Sequence, residues 1–209
     1  MDPILSRRKT IFTIMGLVGM IFTKRLLAFD KQNSGDTSAT ADSISLENLS
    51  DNTSKTLLVL MSFHHKNTEK IANEIAKVLN ARITSPQEIC IEELSRYDLI
   101  GFGSGIYDQK HHQSILDFVD KIPNNTPKSV FIYSTSGVSR KTCLKHSIDD
   151  PHTEIREKLQ NKGCKIIDEF NCAGWNTNSF LKLFGGINKG KPNVEDLKRA
   201  KEFAENLQY

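Results

Sequence analysis

Three short, nearly unbroken apolar runs constrain this chain most: Lys55 to Ser62 (KTLLVLMS), Tyr97 to Ser104 (YDLIGFGS) and Ser129 to Ser134 (SVFIYS). A short continuous apolar run fits a strand buried on both faces. Between these runs the apolar period changes. Ile71, Ile75, Val78 and Leu79 recur at helical spacing and predict a helix over 68–80. Ile115, Phe118, Val119 and Ile122 predict a second, stopped near Pro123. Ile155 and Leu159 lie on a third, entered at Pro151 and closed at Gly163. Short strands are expected at Arg82 to Thr84 and Lys165 to Phe170. Asn193 is the expected N-cap of a last helix, with Glu195 and Asp196 in its first turn and Leu197, Ala200, Ala204 and Leu207 as its stripe. Strands alternating with helices predict an α/β fold: a doubly wound, five-stranded parallel sheet covered on both faces.

The first fifty residues are a different material. Ser6-Arg7-Arg8-Lys9 precedes an apolar run from Ile11 to Phe22. That run is shorter than the ~20 residues needed to span a bilayer. A basic stretch before such a run is the layout of a signal peptide. The paired arginines resemble a twin-arginine export signal, as do Lys24 and Arg25 beyond the run, although Thr10 departs from that pattern. Residues 1–29 are therefore expected to be a signal peptide or a membrane anchor, which places the protein outside the cytoplasmic membrane; the alternative is a cytoplasmic protein with an apolar start. Residues 30–54 are rich in Ser, Thr, Asn and Asp and read as a flexible polar linker. Residues 55–209 form the folded domain.

The net charge of +3, with no sustained basic stripe, gives no support to nucleic-acid binding. Four cysteines at 90, 143, 164 and 172 form no C-x-x-C, which argues against an iron–sulfur cluster or zinc knuckle. The plainer reading is four unpaired small residues.

The segment Ser62-Phe63-His64-His65-Lys66-Asn67-Thr68 joins the first strand to the first helix. Unsatisfied first-turn amides and the helix dipole suit a phosphate here. Lys66 adds a charge, and Ser62 and Thr68 add hydroxyls. A plain strand-to-helix connection would instead use Asn67 or Thr68 as N-cap. Two further loops end strands on the same side of the sheet: Ser104-Gly105-Ile106-Tyr107 and Ser134-Thr135-Ser136-Gly137.

The first loop resembles that of the flavodoxin family, T/S-x-T-G-N-T. Ser62, Asn67 and Thr68 match it, while His64 replaces the usual Thr and Lys66 the usual Gly. Glycine at position 66 would adopt positive φ more easily than lysine does. Gly174-Trp175-Asn176-Thr177 and the stretch from Gly185 to Pro192 resemble the family's ending. The resemblance implies a flavodoxin-like strand order 2-1-3-4-5, with FMN at the switch point between strands 1 and 3. It implies cofactor contacts from Ser62, His64, Lys66, Asn67 and Thr68, from Ser104, Gly105, Ile106 and Tyr107, and from Ser134, Thr135, Ser136 and Gly137. Tyr107 would stack on the ring, and Trp175 either covers it or anchors the core.

The resemblance implies a redox function, most simply an electron carrier that serves a redox partner protein. An FMN-dependent quinone or flavin reductase is the alternative, and a flavodoxin-fold binding protein without the cofactor is a second. His64, His65, His111 and His112 offer no ligand spacing for a metal.

Overall fold

The expected apolar runs become the interior strands of one sheet. The structure is a computed structural model that describes residues 55–138, 140–146, 149–178, 182–183 and 185–209. The expected export or anchoring segment (1–29) and linker (30–54) lie outside the described residues.

In chain order the elements are β1 (Thr56–Met61), α1 (Asn67–Leu79), β2 (Arg82–Thr84), β3 (Leu99–Tyr107), β4 (Lys110–His111), α2 (Gln113–Lys121), β5 (Ser129–Ser136), α3 (Arg140–Lys145), α4 (Thr153–Asn161), β6 (Lys165–Ala173) and α5 (Val194–Glu205). The parallel strands run β2-β1-β3-β5-β6, and β4 pairs antiparallel with the end of β3. Without β4, this is the expected 2-1-3-4-5 order. There are two differences, the first of which follows from turn chemistry. Asp108 and Gln109 both take positive φ (48° and 64°), so the chain folds back as a hairpin without a glycine. As a result β3 runs through Ser104 to Tyr107, which was expected to be loop. The short α3 was not expected either.

Alternation along the strands sorts the core into two layers. Leu57, Val59, Ile100, Phe102, Val130 and Ile132 face one side and pack with Ile115, Leu116 and Val119 of α2 and Ile155 and Leu159 of α4. Leu58, Leu60, Leu99, Phe131 and Tyr133 face the other and pack with Ile71, Ala72 and Ile75 of α1 and Ala200 and Ala204 of α5. Each fully buried Leu, Ile or Phe contributes roughly 1.5–3 kcal/mol of transfer free energy. The interior strands are therefore rigid mounts, and their carboxyl ends hold the loops in fixed relation.

The α5 cap matches expectation. The Asn193 side chain accepts from the Asp196 amide (3.1 Å), and Asp196 Oδ2 accepts from the Asn193 amide (3.0 Å). Asp196 also pairs with Lys191 Nζ at 2.9 Å.

Candidate functional site

The site is built from the β1–α1 loop upward. His64 to Lys66 make a single 3-10 turn, and His65 (φ 52°, ψ 13°) and Lys66 (φ 52°, ψ 36°) are both left-handed. Lys66 thus adopts the conformation that glycine would take more cheaply. Each such residue costs roughly 1–2 kcal/mol, and strain of this kind collects at functional sites. Lys66 is also the N-cap of α1, which has no side-chain cap hydrogen bond. The plain connection with Asn67 or Thr68 as N-cap is not what forms. Ser62 Oγ accepts from the Glu69 amide (3.2 Å), and the Thr68 hydroxyl bonds that of Thr135 on β5 (2.8 Å), which locks the loop to the sheet.

The loop forms one wall of a cleft at the carboxyl ends of β1, β3 and β5. Ser62, His64, Asn67 and Thr68 line it from this side, Gly105, Ile106 and Tyr107 from the end of β3, and Thr135, Ser136 and Gly137 from the end of β5. Three other expected contact residues lie elsewhere. Lys66 points to solvent and pairs with Glu69 at 3.2 Å. Ser104 and Ser134 are fully buried below the cleft floor. They are register partners on neighbouring strands, and each hydrogen-bonds a buried histidine: Ser104 with His111 Nδ1 (3.0 Å) and Ser134 with His152 Nε2 (2.7 Å).

Sequence reasoning did not find the fourth wall, Gly174, Asn176 and Asn178, nor the exposed Phe63 at the mouth. Trp175 also lines the cleft and lies outside the two core layers, so it does not anchor the core. Left-handed His65 aims its ring flat onto Trp175, with centroids 3.8 Å apart at 15°, and its Nε2 meets Thr177 Oγ1 at 2.9 Å. The Trp175 indole donates to the Gly185 carbonyl (3.1 Å), and Asn188 Nδ2 donates to the Gly137 carbonyl (2.7 Å). Asn67 Nδ2 donates to the Trp175 carbonyl (2.8 Å). A Cβ on Gly174 would come within 2.9 Å of that Asn67 nitrogen, so the close approach of the two walls requires glycine. The only cue in the sequence was the Gly174-Trp175-Asn176 string itself.

Two observations describe what the cleft lacks internally. Asn67 Oδ1 is buried and has no partner within the protein. Such a group costs roughly 1–3 kcal/mol unless something donates to it. The left-handed turn delivers the start of α1 to the cleft wall, where its Asn67 and Glu69 amides meet the His64 carbonyl and Ser62 Oγ and the helix dipole favours an anion. Partial burial pushes the Tyr107 hydroxyl above its ordinary pKa, so its ring is neutral at physiological pH. Among the described residues no three His, Cys, Asp or Glu side chains gather as a metal site, and all four cysteines are free.

A family model described as "Flavodoxin domain" matches residues 58–178. The chain is 50% identical over 153 residues to an uncharacterized protein of Methanocaldococcus jannaschii, covering 73% of this chain and 97% of that protein. Among solved structures it is similar to a flavodoxin from the domain Archaea, with TM-score 0.52 and 19% identity over 71% of this chain and 92% of that one. It is also similar to oxidised flavodoxin 2 from Bacillus cereus, with TM-score 0.53 and 19% identity over 72% and 95%.

Proposed function

The chain belongs to the flavodoxin-domain family, and from that premise we propose that the cleft binds FMN and that the protein is an electron carrier. The observation that carries the reading is convergence: loops distant in sequence meet in one cleft around a strained helix start.

The residues present fit the cofactor. The start of α1 receives the phosphate, which would share the Glu69 amide with Ser62 Oγ, and the hydroxyls of Ser62 and Thr68 stand beside it. Asn67 Oδ1, orphaned in the protein, accepts from a donor on the ligand. Gly105 and Gly137 let Tyr107 and Asn176 pack close against the backbone of the cleft, and Tyr107 and Trp175 supply aromatic walls. Bound flavin supplies reversible one- and two-electron chemistry, while the protein sets orientation and electrostatics.

A carrier also needs a docking face. Phe63 (68% exposed) and Val138 (46%) sit in the cleft loops, and Ile187 (37%) pairs with the cleft residue Asn176. These exposed apolar residues are the surface a protein partner would contact in this reading. We further propose that residues 1–29 export or anchor the protein.

The test is the absorption spectrum of the purified protein, followed by FMN titration of the stripped form. Flavin bands that bleach on reduction and return on oxidation are the expected result. A colourless protein that takes up no added FMN would refute the reading.

A further inference from the structure

A second polar assembly lies under the cleft, between β5, β6 and the start of α4, and the cofactor site does not use it. At its centre is His152, which is completely buried. Its Nδ1 lies 2.9 Å from Glu169 Oε2, and its Nε2 lies 2.7 Å from Ser134 Oγ. A carboxylate can only accept, so Nδ1 carries the hydrogen. Nε2 is then a lone pair that accepts the Ser134 hydroxyl proton. Ser134 Oγ in turn accepts from Asn171 Nδ2 (2.8 Å), and the same amide nitrogen donates to Ser136 Oγ in the cleft (3.1 Å). The path from His152 to the cleft thus runs through Ser134 and Asn171, and Ser134 directly precedes the cleft residue Thr135.

Every element around His152 contributes charged or titratable groups. Glu169 on β6 pairs with Arg156 of α4 (2.6 Å) and Arg140 of α3 (3.0 Å). Asp150, in the loop before α4, holds the same two arginines, each at 2.7 Å, and accepts from the His152 amide (3.1 Å). On β4, the His111 ring stands 5.1 Å from that of His152; its Nδ1 is on Ser104, and its Nε2 is buried without a partner. Two guanidiniums balance two carboxylates, so the assembly is neutral when both histidines are neutral. Burial lowers the proton affinity of His152 and the Glu169 bond opposes it, with a net lowering. Burial and the neighbouring His152 hold His111 neutral as well. The assembly is electrically balanced with both histidines neutral, so a negative charge arriving nearby favours proton uptake by it.

We propose that His152 is the redox-linked proton acceptor of this protein: when a reductant places an electron in the cleft, His152 Nε2 takes one proton from solvent. This rests on the cofactor reading above. The electron comes from a redox partner protein, or from dithionite in the test. Nε2 faces Ser134 and the cleft side of the ring, so the proton reaches it from the cleft, while Glu169 stays on Nδ1 and stabilises the charged ring. The new Nε2–H then donates to Ser134 Oγ, and the Ser134 hydroxyl hydrogen turns away from the ring. Reoxidation returns the proton. His152 is a positioning and charge-compensating residue, since it touches no ligand.

The test is nitrogen and carbon NMR of the His152 ring in the full chain with FMN bound, oxidised and dithionite-reduced, across pH 6 to 8. The expected result is a neutral ring with the hydrogen on Nδ1 when oxidised, which becomes doubly protonated on reduction. Potentiometry of the same protein should show proton uptake coupled to reduction, and His152→Gln should lose that coupling while still binding FMN. Ring signals that stay neutral in both states, or a coupling unchanged in His152→Gln, would overturn the proposal. The NMR result on the unmodified protein decides even if the variant fails to fold. A coloured protein with an unresponsive His152 refutes this proposal alone, whereas failure to bind FMN refutes both.

Discussion

Replacing Lys66 with glycine should stabilise the FMN-free protein, and replacing it with alanine should not. At φ 52° and ψ 36° a residue with a Cβ carries a left-handed penalty of roughly 1–2 kcal/mol. Glycine removes that penalty but loses about 0.5–1 kcal/mol more backbone entropy on folding. Both variants lose the Lys66–Glu69 ion pair, whose side chains are 70% and 36% exposed and which contributes no more than about 0.5 kcal/mol. The glycine variant should therefore gain about 0.5 kcal/mol over the natural protein, and the alanine variant should lose a few tenths. The diagnostic quantity is the difference of about 1 kcal/mol in favour of glycine, because a helix-interior position would give the opposite sign by a similar amount. Urea unfolding of the three proteins measures it, read as a shift in midpoint at constant slope. For a domain of this size the same difference moves the melting temperature by roughly 2–4 °C. An alanine variant as stable as the glycine variant would show that Lys66 is not held in the left-handed region, and the account of the phosphate loop would fail with it.

Other consequences follow from particular contacts. Gly103→Ala would place a Cβ 2.1 Å from the buried Tyr133 ring, and the forced repacking should cost roughly 1–3 kcal/mol in urea unfolding. Burial alone would raise the Glu169 pKa, but hydrogen bonds from His152 and Arg156 outweigh it and hold the group at about 2. A depressed folded pKa gives stability that is present above the ordinary carboxylate range of about 4.3 and lost as pH falls toward 2. Glu169→Gln should therefore be less stable at pH 7 and show a shallower acid transition by circular dichroism. Replacing both Arg7 and Arg8 with lysine should retain the protein inside the cytoplasmic membrane; unchanged export on cell fractionation would exclude the twin-arginine route.

The interior strands were legible because parallel strands covered on both faces must be continuously apolar, and Leu57 to Leu60, Leu99 to Phe102 and Val130 to Tyr133 meet that demand. The α5 start was legible because its cap is local. What the sequence hid depends on partners far along the chain. Lys66 stands where the family motif has glycine, which pointed to positive φ, but the contacts that lock the loop come from Thr135 and Trp175, far along the chain. Ser104 and Ser134 looked like loop hydroxyls beside a ligand. The hairpin at Asp108 and Gln109, which lacks the usual glycine, prolongs β3 past Ser104, and β5 runs on to Ser136. Both serines are thereby buried against His111 and His152. The His152–Glu169 assembly was invisible because it needs the β5–β6 register to bring Ser134 beside Asn171.

The most direct test of the central claim compares FMN with riboflavin, which lacks only the phosphate. Trp175 is the sole tryptophan and lines the cleft, so its fluorescence reports occupancy. The account predicts quenching by FMN at least tenfold tighter than by riboflavin, a difference of about 1.4 kcal/mol or more. Equal affinity for the two would contradict a phosphate held at the start of α1.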